Sequence, residues 1–391
     1  MPNKDKNIPK RRFKTFENDP AWELRKLGEV AISFDYGLNS AATEYDGENK
    51  YLRITDIDDD SREFNISDLT SPEINLFGLD EYRLSIGDIL FARTGASVGK
   101  SYIYRSVDGK VYFAGFLIRV KIKDTFNPDF VFQNTLTSNY ERFISITSMR
   151  SGQPGVNAQE YSNYEIMFPS LPEQSAIGTF FSTLDRHITL HQRKLDKLKS
   201  VKQAYLSEMF PAEGERVPKR RFPGFTDDWE LRKLGEVVEV CSGRDYKHLG
   251  VGSIPVYGTG GYMLSVSEAL SKNNDAIGIG RKGTIDSPYI LRAPFWTVDT
   301  LFYCIPNDGF TLEFAYSIFQ NINWKSMDES TGVPSLSKNG INNVKVLTPK
   351  IKEQSAIGTF FSTLDRHITL HQRKLEKLKN LKKALLNELF V

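Results

Sequence analysis

The chain has 391 residues, of which 40% are hydrophobic and 26% are charged, and its formal net charge at pH 7 is +2. This composition is typical of globular proteins, and the length predicts two or three domains rather than one core. No apolar run approaches the roughly 20 residues that a membrane span needs. The basic start has no apolar segment behind it, so no secretory signal is expected. Cys241 and Cys304 are expected to be free and reduced, which favours a cytoplasmic location.

Two repeats organise the chain. The segment EQSAIGTFFSTLDRHITLHQRKL begins at Glu173 and begins again, unchanged, at Glu353. The stretch WELRKLGEV begins at Trp22 and at Trp229, and PKRRF precedes each copy. One frame is therefore predicted to occur twice with a different insert in each copy, so the chain has a pseudo-twofold repeat.

The repeats give the predicted boundaries in chain order. We expect a basic N-terminal segment over residues 1–21, a first domain over 22–172, a helix over 173–211, a linker over 212–228, a second domain over 229–352 and a second helix over 353–391. The linker is polar and rich in Pro and Gly, as connecting segments are.

Both inserts read as strands joined by turns. The first holds YLRITDIDDD, GDILFARTGASVGKSYIY and VYFAGFLIRVKI, and the second holds IPVYGTGGYM, DAIGIGRKGTIDSPYIL and FWTVDTLFYCI. Short aromatic and β-branched runs that are separated by Gly and Asp predict strands. The predicted fold class is mixed α/β, with a sheet and a few short helices in each domain.

Each copy of the duplicated segment is predicted to be a long helix, because its apolar residues follow heptad spacing. Such a stripe needs a partner, and the two helices are predicted to pair antiparallel as a coiled coil. Two unrelated helices that each lie on one domain are the alternative, which leaves the identity of the two segments unexplained. The predicted interface residues are Phe181, Leu184, Ile188, Leu195 and Leu198 in the first helix and Phe361, Leu364, Ile368, Leu375 and Leu378 in the second. Ser170 and Glu173 have the spacing of a capping box.

Some stretches resemble enzyme motifs but lack the required context. GASVGKS near Gly95 is one residue short of a phosphate-binding loop, and GIGRKG from Gly278 matches a dinucleotide fingerprint. Both are followed by strand-like sequence where those motifs need a helix. NPDF at Asn127 falls short of the tetrapeptide that amino-methyltransferases use. His187 and His191 lie one helical turn apart without the Glu of a zinc protease. We therefore predict no catalytic and no metal-ligating residues.

Two pairs of loops correspond between the inserts. Arg93-Thr94-Gly95 and Arg281-Lys282-Gly283 each follow an apolar run, and SGQPGVNAQ and TGVPSLSKN share Gly-x-Pro at the same 180-residue offset as the duplicated segments. Glycine allows a backbone to approach a surface closely, and Arg offers a rigid fork for a phosphate or a guanine edge. Ordinary turns are the alternative, but the matched placement favours a binding surface in each domain.

Together with LRITDID, GDILFARTGASVGK, GRKGTI and the doubled helix, this layout resembles the specificity subunit of a type I restriction–modification system. The resemblance spans the chain from about residue 9. It implies two target-recognition domains that each read one half of a gapped, asymmetric site in double-stranded DNA, with the two helices as a spacer.

The resemblance also implies partners. Two modification subunits would bring S-adenosylmethionine and methylate adenine, and restriction subunits would bring ATP, Mg²⁺, translocation and cleavage. The chain itself is then non-catalytic and binds no cofactor. The duplicated frame would provide two equivalent docking places for two copies of the modification subunit.

The residues predicted to contact DNA are polar or glycine residues in or near the matched loops and strand ends. They are Arg53, Thr55, Arg93, Thr94, Gly95, Ser97, Lys100, Arg150, Gln153 and Asn157 in the first domain and Tyr257, Thr259, Arg281, Lys282, Thr284, Ser335 and Lys338 in the second.

Charge separates the two domains. Residues 22–171 hold 15 basic and 22 acidic side chains, whereas residues 229–352 hold 13 and 12. Neutralisation of phosphates dominates DNA affinity, so the basic residues of the first domain are expected to cluster on one face, or the partners to supply much of the grip. Two other functions are compatible with parts of the sequence: a coiled-coil protein-interaction scaffold without DNA specificity, and a self-sufficient nucleotide-using enzyme.

Overall fold

The structure is a computed structural model, and it describes residues 7–149, 152–328 and 330–391. The chain forms two compact units, one of Met1–Gln192 with Arg373–Val391 and the other of Arg193–Gln372. Each unit therefore contains one insert and one half of each long helix. In the described parts of the chain, no helix is long and apolar enough to cross a membrane.

The first insert is built around an antiparallel sheet with the strand order β2-β9-β6-β7, and β3–β5 and β4–β8 form two smaller pairs beside it. Its elements are β1 (Glu23–Lys26), α1 (Leu27–Val30), β2 (Ala31–Tyr36), β3 (Ala42–Glu44), β4 (Lys50–Leu52), β5 (Thr70–Pro72), β6 (Ile89–Ala92), β7 (Ser101–Ile103), β8 (Val111–Phe113), β9 (Leu117–Ile122), α2 (Pro128–Asn134), α3 (Ser138–Thr147), α4 (Ala158–Ser162), β10 (Glu165–Phe168) and the long helix α5 (Leu171–Met209).

The second insert has a sheet of order β12-β18-β15-β16 and a smaller sheet of order β14-β13-β17. Its elements are β11 (Glu230–Lys233), α6 (Leu234–Val237), β12 (Val238–Ser242), β13 (Val251–Gly258), β14 (Gly261–Val266), β15 (Ala276–Gly280), β16 (Tyr289–Leu291), β17 (Trp296–Thr297), β18 (Leu301–Pro306), α7 (Leu312–Asn321), α8 (Lys338–Asn343), β19 (Lys345–Thr348) and the long helix α9 (Ile351–Leu389).

The two inserts share one core topology although their sequences differ. The order β2-β9-β6-β7 is repeated as β12-β18-β15-β16, and the strands β6 and β15, which lie inside each sheet, are fully buried apolar runs. A strand buried on both faces reads as a continuous apolar run. The strand of each WELRK stretch pairs antiparallel with the strand that precedes the long helix, as β1 with β10 and β11 with β19. The predicted mixed α/β class with a pseudo-twofold repeat is confirmed.

The two long helices pair antiparallel in the first unit. Phe181, early in α5, packs against Phe390, just beyond α9, with ring centroids 5.9 Å apart. The Lys382 ammonium group forms an ion pair with the Asp185 carboxylate at 2.6 Å. Residues early in one helix therefore meet residues late in the other, which is the predicted arrangement.

The second unit repeats these contacts with the helices exchanged. Phe361, early in α9, packs against Phe210, just beyond α5, with centroids 6.4 Å apart, and Asp365 pairs with Lys202. Of the predicted interface residues, Phe181, Leu184, Ile188, Leu195, Phe361 and Leu375 are buried, and Leu198, Leu364, Ile368 and Leu378 are half-buried.

A buried ion pair joins each PKRRF stretch to the start of the long helix in the same unit. The Arg12 Nε and Nη2 atoms donate to the two carboxylate oxygens of Glu173 at 2.7 and 2.6 Å, and Arg221 donates to Glu353 in the same way at 2.7 Å for both bonds. Hydrogen bonding to the carboxylate raises the pKa of both arginines. Glu173 thus binds Arg12 rather than the backbone of Ser170, so the capping-box interpretation of that spacing is wrong.

The next residue of the duplicated segment fastens the helix to its domain. The Gln174 side chain accepts a hydrogen bond from the Asn127 backbone N–H at 3.0 Å and donates to the Pro169 carbonyl at 2.9 Å. Gln354 accepts from the Thr311 N–H at 3.3 Å and donates to the Pro349 carbonyl at 2.9 Å. The Asn127 side chain caps α2 by accepting from the Phe130 N–H, which gives NPDF a structural role.

Close approach explains the glycine in the duplicated segment. A Cβ atom at Gly178 would lie 2.6 Å from Oδ1 of Asn127, and one at Gly358 would lie 2.8 Å from the Cβ of Glu313. Both distances are shorter than real Cβ contacts allow, so each long helix needs glycine where it passes α2 or α7. The two segments therefore share Glu, Gln and Gly because each makes the same joint with its domain.

Candidate nucleic-acid interface

The two predicted loops of the first domain lie side by side. The Gly95 N–H donates to the Pro154 carbonyl at 3.0 Å, and the Val156 N–H donates to the Arg93 carbonyl at 2.9 Å. An isolated β-bridge joins Thr94 to Gly155 between these bonds. The loop that follows β6 and the loop that precedes α4 thus form one surface, called here the first loop pair.

The second domain contains the same construction. The Gly283 N–H donates to the Pro334 carbonyl at 2.8 Å, the Leu336 N–H donates to the Arg281 carbonyl at 2.9 Å, and a bridge joins Lys282 to Ser335. This surface, which follows β15 and precedes α8, is called here the second loop pair. In each domain, therefore, the glycine loop and the Gly-x-Pro loop that the sequence analysis matched between the inserts are in contact with each other.

Glycine is required at the turn of each loop pair. Gly95 has a φ of +70° and Gly283 a φ of +94°, a backbone conformation that side chains with a Cβ rarely adopt. A Cβ atom at Gly95 would also lie 3.1 Å from Nε2 of Gln153, which places that predicted side chain beside the turn. Ser97 lies in the 3-10 turn Gly95–Ser97, which leads towards strand β7 and not towards a helix. The GASVGKS stretch therefore lacks the helix of a phosphate-binding loop.

The Asn157 and Ser337 side chains cap the helices that follow the loop pairs. The Asn157 Oδ1 atom accepts a hydrogen bond from the Glu160 N–H at 2.9 Å, and the Ser337 hydroxyl accepts from the Gly340 N–H at 2.9 Å. Of these two caps the sequence-based set included Asn157, and it also included Lys338, the first residue of α8. Capping fixes the direction of each helix, and hence the position of the loop before it.

Some predicted contact residues are occupied within the first domain. Arg53 donates from Nε and Nη2 to the Asp56 carboxylate at 2.9 and 2.8 Å, and Thr55 donates to the same carboxylate. Lys100 forms an ion pair with Asp59 at 2.6 Å, and its side chain is 15% exposed. Among the described residues, no hydrogen bond or ion pair joins these three side chains to the first loop pair. Arg150 lies outside the described residues.

The remaining predicted residues of the second domain lie in two places. Thr284 is exposed just after the Gly283 turn. Tyr257 belongs to β13 and packs edge-on near Tyr262, with ring centroids 6.3 Å apart, and Thr259 lies in the turn between β13 and β14. The structure thus brings Arg281, Lys282, Thr284, Ser335 and Lys338 to the second loop pair and places Tyr257 and Thr259 in the hairpin of the smaller sheet.

Sequence reasoning missed two aromatic residues at the first loop pair. The guanidinium carbon of Arg93 lies 5.1 Å from the ring centroid of Tyr36 and 5.9 Å from that of Phe116. Arg281 has one such neighbour, Phe302, at 5.8 Å. No sequence signal singled these residues out. Tyr36 lies outside the predicted strand-like runs and Phe116 lies within VYFAGFLIRVKI, and the runs do not indicate which strands are neighbours.

The arrangement offers cationic loops and no reactive constellation. Within the described parts of the chain, no group of three or more His, Cys, Asp or Glu residues is placed to hold a metal ion. The GIGRKG stretch runs from β15 into the Gly283 turn and is not followed by a helix, so it has no dinucleotide-binding geometry. What the two loop pairs provide is arginine and lysine side chains on rigid, glycine-containing turns.

Comparison with known proteins identifies the family. The model of the type I restriction modification DNA specificity domain matches residues 20–200 and again residues 226–380. The chain is 21% identical to the type I restriction enzyme MjaVIII specificity subunit of Methanocaldococcus jannaschii, over 94% of this chain and 91% of that protein. It is 22% identical to the putative type I restriction enzyme MjaX specificity subunit of the same organism, over 98% and 96%.

A solved structure shows the same fold. The S subunit of a type I restriction–modification system from M. genitalium superposes with a TM-score of 0.75 and 16% sequence identity, over 98% of this chain and 99% of that one. The family match covers both inserts and most of both long helices. The chain therefore belongs to the type I restriction–modification DNA specificity family.

Proposed function

We propose that this chain reads a gapped, asymmetric DNA site, with each domain reading one half. The observation that carries the proposal is the repetition of one loop pair on one sheet topology within two inserts of different sequence. A shared scaffold with different exposed side chains suits two surfaces that read two different sequences. Sequence is read through base edges, whereas contacts to the phosphate backbone position the protein.

The proposed docking surface for the partner lies on the duplicated segments. In the second unit, Phe222 packs edge-on against Phe360, with centroids 5.9 Å apart, beside an open apolar groove. The groove is lined by Phe222, Ser355, Ala356, Thr359, Phe360, Thr363, Leu364 and His367. In the first unit, Phe13 packs against Phe180 at 5.8 Å in the same way.

These residues are duplicated even where they face solvent. Thr179, Phe180, Thr183 and His187 are exposed, and each has the same residue type 180 positions later. The structural joint requires the buried Glu, Gln and Gly, but it does not require identical exposed residues. A partner that docks twice does require them, which supports two copies of one modification subunit.

Methyl transfer, translocation and cleavage then belong to the partners. We propose that modification subunits supply S-adenosylmethionine and that restriction subunits supply ATP and Mg²⁺, while this chain supplies recognition and binds no cofactor. The acidic balance of the first domain fits this division, because partner subunits would share the task of neutralising phosphates.

Domain exchange tests the proposed reading of two halves. The chain is produced together with its modification subunit, and methylated adenines are mapped across the host genome. Replacement of residues 229–352 with the corresponding insert of another member of the family should change one half-site and leave the other. A single continuous motif, or a change in both halves, would contradict independent reading.

The docking proposal has its own test. Phe180→Arg and Phe360→Arg should each remove one copy of the modification subunit from the assembled complex, and the double variant should remove both, as measured by mass photometry. Val107→Arg, at an exposed apolar residue of the first domain, is the matched control and should keep both copies. Full assembly of the double variant would place the docking surface elsewhere.

A further inference from the structure

The Arg93 side chain lies near two aromatic rings that the sheet of the first domain brings together. Tyr36 is the last residue of β2, Phe116 lies in the turn before β9, and Arg93 follows β6. These strands are adjacent in the order β2-β9-β6. The ring centroids are 5.1 and 5.9 Å from the guanidinium carbon. The contact therefore depends on the sheet topology and not on a flexible loop.

Backbone hydrogen bonds hold the three residues in place. The Arg93 N–H donates to the Phe116 carbonyl at 3.1 Å, and the Arg93 carbonyl accepts from Val156 at 2.9 Å. The Tyr36 hydroxyl accepts from the N–H of Ala158, the first residue of α4, at 3.3 Å. The arginine and both rings are thus tied to the first loop pair.

Among the described residues, no side chain or carbonyl accepts a hydrogen bond from the Arg93 guanidinium. Its Nε atom is buried without an acceptor, whereas neither Nη atom is among the buried atoms that lack a partner, and the residue as a whole is half-buried. Three other arginines of this domain are paired with carboxylates, Arg53 with Asp56, Arg105 with Asp129 and Arg119 with Asp35. Arg93 has no such pair among the described residues, so its guanidinium is available to a partner outside the chain.

The accessible atoms define the chemistry of that partner. With Nε buried, Arg93 can bind only through its two parallel Nη groups, which match the O6 and N7 acceptors of guanine in the major groove. Aromatic rings near the guanidinium restrict its orientation, and a planar guanidinium responds to such neighbours in a way that a lysine ammonium does not. We propose that Arg93, positioned by Tyr36 and Phe116, reads a guanine in the first half-site. This inference rests on the proposed DNA-reading function of the domain.

Arg281 provides the contrast. It is exposed, it lies near one ring instead of two, and its Nη1 atom is 3.5 Å from the Asp299 carbonyl oxygen, which is a weak contact. An exposed arginine suits the phosphate backbone, where charge matters more than the orientation of the group. Because Arg281 belongs to the second loop pair, the matched control for Arg93→Lys is Arg25→Lys, which keeps the charge at an exposed arginine of β1 outside both loop pairs.

The genetic test maps methylated adenines for the wild-type complex and for the variants Arg93→Lys, Phe116→Leu and Arg25→Lys. Exchange of residues 229–352 identifies which half-site belongs to the first domain. That half-site should contain a G·C pair, and Arg93→Lys should relax this position alone, by roughly 5- to 150-fold in discrimination. Phe116→Leu should relax the same position, whereas Arg25→Lys should leave both half-sites unchanged.

A second measurement needs no protein variant. Duplexes that carry 7-deazaguanine, which lacks the N7 acceptor, replace each guanine of the first half-site in turn, and binding by the assembled wild-type complex is measured by fluorescence polarisation. One replacement should weaken binding by at least about 5-fold, and the same replacement should have little further effect on Arg93→Lys.

The outcomes separate the two proposals. A bipartite site whose first half has no G·C pair, or no loss of affinity with any 7-deazaguanine duplex, overturns the guanine assignment and leaves the proposed function intact. An Arg93→Lys complex that assembles normally and keeps the wild-type motif also overturns it. A wild-type complex that methylates no bipartite site overturns the proposed function itself.

Discussion

At the scale of single residues, the joint between each domain and its helix depends on a charged pair inside the protein. The Arg12 side chain is 6% exposed and that of Glu173 is 0% exposed. The neighbouring Arg11 is 62% exposed and pairs with Glu388. The repeats identified both PKRRF and the helix start, but two adjacent arginines look alike in a sequence. Which of them is buried depends on long-range packing.

Removal of Glu173 should be far more costly than removal of Glu388. Glu173→Ala leaves Arg12 without a carboxylate, although the Asp19 and Pro20 carbonyls still accept hydrogen bonds from it. The free energy of unfolding should therefore fall by an amount near the lower end of the about 3–5 kcal/mol that loss of one member of a buried pair costs. Glu388→Ala breaks a pair at the surface, where the expected loss is below about 1 kcal/mol. Urea denaturation followed by tryptophan fluorescence measures both, since Trp22 packs near this joint, with its ring centroid 5.7 Å from that of Phe130.

The second unit supplies a repeat of this experiment. Glu353→Ala removes the partner of Arg221 and should cause a loss of the same size as Glu173→Ala. Equal, small losses for Glu173→Ala, Glu353→Ala and Glu388→Ala would show that the buried pairs do not hold the joints.

The proposed recognition residues were only partly predictable at this scale. Glycine turns with an adjacent arginine are visible in a sequence, and the Gly-x-Pro loops repeat at the same 180-residue offset as the duplicated helices, which indicated two matched surfaces. Tyr36 and Phe116 were not predicted, because contact between them and Arg93 requires the order β2-β9-β6. That order arises from strand pairing between distant segments, which local sequence patterns do not specify.

At the scale of secondary-structure elements, heptad spacing predicted the long helices to within two residues at each end of α5. The start at Leu171 precedes the predicted Glu173, and the end at Met209 precedes the predicted residue 211. Lys202 occupies a heptad position where an apolar residue is expected, and its side chain pairs with Asp365 of the other helix. A lysine can bury its stem while its ammonium group finds a partner. The pattern therefore located the interface, whereas its polar contacts required three-dimensional information.

Helix length should set the gap between the two half-sites. Four residues inserted after Leu195 extend the helix by about 6 Å, and base pairs are about 3.4 Å apart along the DNA axis. We expect a gap that is longer by about one or two base pairs, with both half-sites unchanged, in genome-wide maps of methylated adenine. Some stability should be lost as well, because four residues shift the heptad pattern.

A control separates helix length from chain length. The same four residues inserted after Gly214, in the exposed linker between α5 and β11, lengthen the chain without lengthening a helix. This variant should keep the original gap. An active helix variant with the original gap would show that the spacing is set by other parts of the complex.

At the scale of the whole molecule, each PKRRF stretch also contacts the end of a long helix, and we call this contact the second joint of its unit. In the second unit the linker connects the two partners directly along the chain, whereas in the first unit they lie near opposite ends of the sequence. In the second unit, the linker returns to the end of α5, where the Arg220 N–H donates to the Glu208 carbonyl at 2.8 Å. In the first unit, the Arg11 N–H donates to the Glu388 carbonyl near the end of α9 at 2.9 Å. The repeats predicted two copies of one frame, but a linear pattern does not show that the PKRRF stretch near residue 11 meets the end of the second helix.

The correspondence predicts that a circularly permuted chain keeps its function. Eleven residues separate Glu208 from Arg220, and a fusion of Val391 to Met1 would leave 13 between Glu388 and Arg11, three from one end and ten from the other. The fused connection is therefore long enough to span the contact between Arg11 and Glu388, as the linker spans the contact between Arg220 and Glu208. New ends placed between Gly214 and Glu215 fall in the exposed linker, where the joint between Arg220 and Glu208 can form without a covalent connection. Such ends are tolerated where the affected backbone is exposed.

The permuted chain, produced with its modification subunit, should methylate the same two half-sites with the same gap. As a control, a permutant opened between Arg93 and Thr94 cuts the first loop pair and should lose the first half-site. Loss of both half-sites by the linker permutant would instead show that the covalent linker does more than hold Arg220 near Glu208.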